Sequence, residues 1–157
     1  MKAIISILLL VFSGFTMSSQ TVLDTDGLNN VDNVFLYALK EYCKTLNRDV
    51  TKNVYVKKEY PVGESWPKEI EGLEIVYLST GKEYRNAIKS NGGNIRVVGI
   101  NSLDLRKGDF YVSVIPFSVI YKKGATHFTN GGGWIVYFDY DSEKRGLVYR
   151  SKKNFGI

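Results

Sequence analysis

Apolar residues are not spread evenly at the start of this chain. In MKAIISILLLVFSGFTMSSQ one lysine precedes a run from Ala3 to Val11, and small and polar residues follow. That order predicts a secretory signal peptide over residues 1–18, with Thr16 and Ser18 at the small-residue positions before the cut. The run is too short to span a bilayer comfortably, and the only cysteine lies far downstream at position 43, which argues against a lipid anchor at this site. The remaining chain is therefore expected outside the cytoplasm, periplasmic or secreted, with no stable membrane insertion once the leader is removed.

After a polar segment over 19–30, the pattern becomes helical. Val31, Phe35, Leu39, Tyr42 and Leu46 recur at three- and four-residue spacings with Ala38 in the same stripe, which predicts an amphipathic helix of about four turns, N-capped by Asn30. Asp32, Asn33, Lys40, Glu41 and Lys44 are assigned to its outer face. Period-two alternation then takes over around Val54 and Val56, and Leu73 to Leu78 is a short β-rich run, the two separated by a loop containing Pro61, Gly63, Pro67 and Gly72. Thr80 and Glu83 have the spacing of a capping box, so a second, two-turn helix should run from Gly81 to about Lys89 and end at Asn91-Gly92-Gly93.

From Asn94 onward the signals are all strand. Ile95 to Ile100 opens the run, Arg106-Lys107-Gly108 turns it, and Asp109 to Tyr121 is long and β-branched. Its apolar phase changes midway, from even positions (Phe110, Val112, Val114) to odd ones (Phe117, Val119, Tyr121). A bulge at Pro116 would keep both sets on one face. A glycine-rich loop is expected over Lys122–Gly133, followed by clean alternation through Trp134, Val136, Phe138 and Tyr140 and a last strand from Leu147 to Arg150.

The predicted fold class is α+β: a long N-terminal amphipathic helix packed on a curved antiparallel sheet of five or six strands, ending in a C-terminal meander. Residues 31–157 form one domain. This element order resembles the cystatin-like and NTF2-like class, in which a curved sheet wraps a long helix. The resemblance implies an architecture and carries no function.

Composition narrows the field further. With 157 residues, 44% apolar and 13% aromatic, the chain can bury a core unaided, which excludes disordered and low-complexity classes. One cysteine excludes an internal disulfide and a cysteine-based zinc site. The net charge is +5, and its surplus is C-terminal: 10 basic and 5 acidic residues after Ser90, against 10 and 11 from Ser19 to Ser90. Lys122-Lys123 and Lys152-Lys153 could face an anionic partner, although solvated strand ends explain them as well. No nucleic-acid-binding motif accompanies the charge, so no nucleic-acid partner is expected.

Each candidate for chemistry has a plain structural counterpart. Cys43 and His127 are unique in the chain, but Cys43 lies late in its helix, where the dipole disfavours a thiolate, and reads as a buried structural thiol. His127 sits in the glycine-rich stretch and could present an imidazole and backbone N–H groups to an anion, or simply ride on a connection. Asp139, Asp141 and Glu143 suggest oxygen ligands, yet Lys144 and Arg145 place cations where a metal would sit, and the EF-hand glycine is missing. Glu64, Glu69, Glu71 and Glu74 could supply a carboxylate pair for glycoside chemistry, or an exposed acidic loop. Trp66 either folds onto the core or serves as a contact residue, and the strand tyrosines either pack or form an aromatic platform. If the sheet encloses a cavity, His127, Trp134 and Tyr137 are the side chains expected to reach it.

The sequence thus supports a non-enzymatic binding module for a partner protein or small ligand, needing no cofactor or metal, with His127, Trp134, Tyr137 and Trp66 as binding residues. The alternative is a small secreted hydrolase or lyase using His127 with strand carboxylates.

Overall fold

The computed structural model describes residues 33–156, and the first of them sets an element. The side-chain oxygen of Asn33 accepts hydrogen bonds from the N–H groups of Phe35 (3.1 Å) and Leu36 (3.0 Å), capping helix α1 (Val34–Cys43). The cap is thus Asn33 rather than Asn30, and α1 has ten residues rather than four turns. It stops because Thr45 turns back on Tyr42, its N–H and its hydroxyl both donating to the Tyr42 carbonyl. Val31, Asn30, the polar segment 19–30 and the expected signal peptide lie outside the described residues.

After α1 come β1 (Asn53–Lys57), β2 (Glu69–Ile70), β3 (Leu73–Leu78) and helix α2 (Gly81–Ser90). Then follow β4 (Asn94–Ile100), β5 (Asp104–Arg106), β6 (Asp109–Lys122), β7 (Ala125–Asn130), β8 (Gly132–Asp141) and β9 (Gly146–Gly156). The capping box forms as the spacing predicts: Thr80 accepts from the Glu83 N–H while the Glu83 carboxylate accepts from the N–H groups of Thr80 and Ser79.

The fold is α+β, but its sheet is mixed and nine-stranded, not antiparallel with five or six strands. The order is β2-β3-β1-β4-β6-β8-β9, with β5 and β7 both paired to β6. Strand β1 lies between β3 and β4 and runs parallel to both. The α2 crossover returns the chain to the sheet in the direction it left, so β3 and β4 run parallel on either side of β1, and the connection over 58–72 does the same for β1 and β3. Strand periodicity carries no sign of direction, so the sequence pattern alone could not show this.

Tight turns join the antiparallel strands. Glu71-Gly72, Lys107-Gly108 and Lys123-Gly124 all place two consecutive residues at positive φ, the conformation of a two-residue hairpin turn. The third turn corrects the expected loop over Lys122–Gly133, most of which is a β6–β7 hairpin with His127 opposite Ile120.

The phase change in β6 has a different cause from a bulge. Pairing of β6 with β4 is continuous from Asn94↔Ile120 to Ile100↔Val114, with Val98 opposite Pro116. Even positions therefore stay on one face and odd positions on the other along the whole strand. What changes is the cover. Val112 and Val114 pack with Leu36, Leu39, Val54, Val56, Val98, Val136 and Phe138 beneath α1, whereas Val119 packs with Tyr84, Ile88, Ile95 and Val97 beneath α2. The two helices lie on opposite faces, and β6 passes from one core to the other. Pro116 falls where the pairing of β6 changes from β8 (ending at Val114↔Trp134) to β7 (starting at Phe117↔Asn130).

Two independent cores make a testable statement. Val114→Ala and Val119→Ala should each lower stability by roughly 2 kcal/mol through lost burial and residual cavity. In urea titrations the double variant should show the sum of the two within about 0.5 kcal/mol. A strong departure from additivity would mean that the residues share one core.

Candidate functional site

A groove opens beside the end of α1. Tyr42, Thr45 and Leu46 form one wall. Opposite them stand Thr129 to Trp134 at the β7–β8 junction and Asn154 and Phe155 of β9, with Arg96, Pro116 and Ser118 also lining the space. The volume is about 550 Å³. A second hollow of about 330 Å³ adjoins it through Tyr42, Leu46, Arg96 and Ser118 and extends to Thr51, Asn53 and Asn94.

The glycines at one end of the groove are there for close packing. A Cβ on Gly133 would lie 2.6 Å from the Val114 carbonyl oxygen, and Cβ atoms on Gly132 and Gly156 would overlap the backbones of Phe155 and Gly131. Only glycine lets β6, β8 and β9 approach so closely here. Gly132 and Gly133 thus form a seam between strands.

The position of α1 is fixed by charge. Glu41, expected on the outer face, is 4% exposed. Lys44 Nζ donates to its Oε1 at 2.6 Å, and Lys152 of β9 donates both to its Oε2 (3.1 Å) and to its backbone carbonyl (2.9 Å). Burial pushes the Glu41 carboxyl up, but hydrogen bonds from the two ammonium groups outweigh it and hold the group below the usual carboxylate range. The Lys152 ammonium also lies 5.8 Å from the Trp134 ring centroid. Burial raises the Tyr42 hydroxyl, opposed by the adjacent Arg96 guanidinium.

Of the four residues singled out in the sequence, Trp134 lines the groove. Trp66 is 7% exposed and packs in the core beneath α1, in contact distance of Gly63. Tyr137, one register position out of phase with Trp134 and Phe138, is on the opposite face beside Tyr111, with the Arg150 guanidinium 5.1 Å from its ring centroid. His127 is exposed on β7, its Nε2 3.1 Å from the Lys122 carbonyl oxygen, and it is not part of the groove lining. The structure does not bring the four together.

Several of the other candidates have structural roles. Cys43 is fully buried, and burial pushes its thiol up to about 12, so it is held as an unreactive thiol. Asp139 pairs with Arg150 at 3.0 Å, while Asp141 accepts from the N–H groups of Glu143 and Lys144 and so caps the β8–β9 turn. Glu64 pairs with Lys58, and Glu71 pairs with Arg48. Among the described residues no group of three or more His, Cys, Asp or Glu side chains is arranged to hold a metal. No helix among them is long and apolar enough to cross a membrane.

Arg96, Tyr42 and Asn154 were missed in the sequence, and Arg96 had left a trace. In Asn94–Ile100 it shares its phase with the buried Val98 and Ile100, so a cation stands on the apolar face of a strand. Searches against protein-family models, curated proteins and solved structures gave no match for this chain.

The carboxylate of Glu41 sets an acid dependence. Its folded value lies below the unfolded one, so its contribution is present above the ordinary carboxylate range and is lost as pH falls through the folded value. Thermal melts should show stability dropping as pH falls below about 4.5. Glu41→Gln should be less stable near neutrality and lose less on acidification. A variant with the same acid slope as the parent chain would remove Glu41 from the account.

Proposed function

We propose that this protein is an exported, non-enzymatic binding module whose ligand sits in the groove at the end of α1. The observation that carries the reading is the chemistry of that groove. Its walls hold the aromatic rings of Tyr42, Trp134 and Phe155 together with amides and hydroxyls from Asn130, Asn154, Thr45, Thr129 and Ser118, and the adjoining hollow adds Asn53 and Asn94. Such a mixture of aromatic area and convergent polar groups, in a space of about 550 Å³, falls in the size range of small-molecule sites.

Among the described residues the lining carries no carboxylate, imidazole or thiol, the groups that general acid–base or nucleophilic catalysis would use. That supports binding over the hydrolase alternative, whose imidazole at His127 contacts a backbone carbonyl and lies outside the groove. Export rests on the leader-like composition of residues 1–18. A ligand met outside the cytoplasm, and no cofactor, complete the reading. The likeness to cystatin-like and NTF2-like chains is then one of element order, since α2 covers the second face and β1 runs parallel to both neighbours.

Trp134 provides the reporter. Titrating the chain with a panel of saccharides and short peptides should change tryptophan emission for the ligands that bind, and Trp134→Phe should remove the change while His127→Ala leaves affinity within about twofold. Ligands whose binding is insensitive to Trp134→Phe but lost in Tyr137→Ala would place the site on the opposite face and overturn this reading.

A further inference from the structure

Resting on the groove reading above, we infer that the ligand is a hydroxyl-rich ring bearing an oxyanion, an acidic or phosphorylated saccharide, and that Arg96 is the residue that receives its charge. Other cations bordering α1 are ion-paired within the fold: Lys152 and Lys44 share the single carboxylate of Glu41, Lys40 and Arg48 share that of Glu71, and Lys57 and Lys58 pair with Glu59 and Glu64. Arg96 has no carboxylate within ion-pair distance among the described residues, although it shares a strand face with buried Val98 and Ile100. Its neighbours in the groove are neutral among the described residues.

A guanidinium presents a planar fork of donors that matches the two oxygens of a carboxylate or phosphate, and such charge-assisted bonds exceed neutral ones in strength. Held where the surrounding lining contributes no negative charge, Arg96 imposes a charge requirement on whatever occupies the site. The rest of the lining sets the second requirement. Amides from Asn94, Asn130 and Asn154 and hydroxyls from Tyr42, Thr45 and Ser118 offer both donors and acceptors, the complement of a polyhydroxylated ring. Tyr42, Trp134 and Phe155 supply ring faces of the kind that pack against the apolar side of a sugar. A long apolar ligand would leave these polar groups unpaired, and a cationic one would meet Arg96 with like charge.

Calorimetric titration of the full chain with digalacturonate, glucose 6-phosphate and cellobiose tests this. Digalacturonate or glucose 6-phosphate should bind with an affinity that falls as salt rises, and cellobiose should bind at least tenfold more weakly. Whichever anion binds identifies the source of the oxyanion. Arg96→Gln should weaken the anionic ligand tenfold or more, and Arg96→Lys should fall between, with melting curves showing that both variants remain folded. Should cellobiose bind as well as the anions, with Trp134→Phe weakening it and Arg96→Gln leaving it unchanged, the charge assignment is wrong while the groove stands. Should none of the three bind, the inference fails. Binding insensitive to both Arg96→Gln and Trp134→Phe removes the groove reading along with it.

Discussion

A buried carboxylate determines where α1 lies. Glu41 could not stay charged at 4% exposure without partners, and it has two: Lys44 one turn along its own helix and Lys152 from β9, 111 residues away. Lys152 makes a second bond to the Glu41 carbonyl, one of the groups that a helix leaves unpaired at its C-terminal end, and a cation there also matches the helix dipole. One ammonium therefore anchors both the side chain and the backbone of the last turn of α1 to the edge of the sheet. The wall made by Tyr42, Thr45 and Leu46 then faces Asn154 and Phe155 at a fixed distance, and the groove inherits its width from that anchor. Aliphatic side chains in place of the pair could give similar stability, but they would not set this register.

The sheet contributes a second constraint. Because α1 and α2 lie on opposite faces, no single face carries the whole core, and β4 and β6 have to serve both. Val97 and Val98 are both buried, one under each helix. Arg96 follows as a consequence: it occupies the α1 face of β4 beyond the cover that the short helix provides. A helix two turns longer at its C-terminal end would roof over this position. The groove is what remains when a ten-residue helix covers a much wider sheet.

Local rules were readable in the sequence, and long-range ones were not. The capping box at Thr80 and Glu83, the strand Leu73–Leu78 and the alternation through Trp134, Val136 and Phe138 each depend on neighbours a few residues apart, and each forms as the pattern predicts. The β6–β7 hairpin was read as a loop: Lys123-Gly124 repeats the turn chemistry of Lys107-Gly108, but the polar residues after it concealed the strand. The phase change in β6 was visible and was read as a bulge, but a change of cover gives the same pattern. Only the position of α2 distinguishes them. The last strand, expected to end at Arg150, runs on to Gly156: Ser151 to Asn154 pair with β8, because backbone hydrogen bonds need no apolar side chain and Lys152 finds its partner in α1. Among the site residues, Trp134 lay within reach of pattern reasoning. The pairing of Glu41 with Lys152 spans most of the chain, and no local signal marks it.

The most direct test of this account is a double-mutant cycle on that pair, with stability measured by urea denaturation of the parent chain, Glu41→Gln, Lys152→Met and the double variant. Glu41 and Lys152 should couple by about 1.5–3 kcal/mol, so that the double variant loses much less than the sum of the single losses. Losses that add within about 0.5 kcal/mol would show that the two side chains act independently, and the anchor on which the groove depends would not exist.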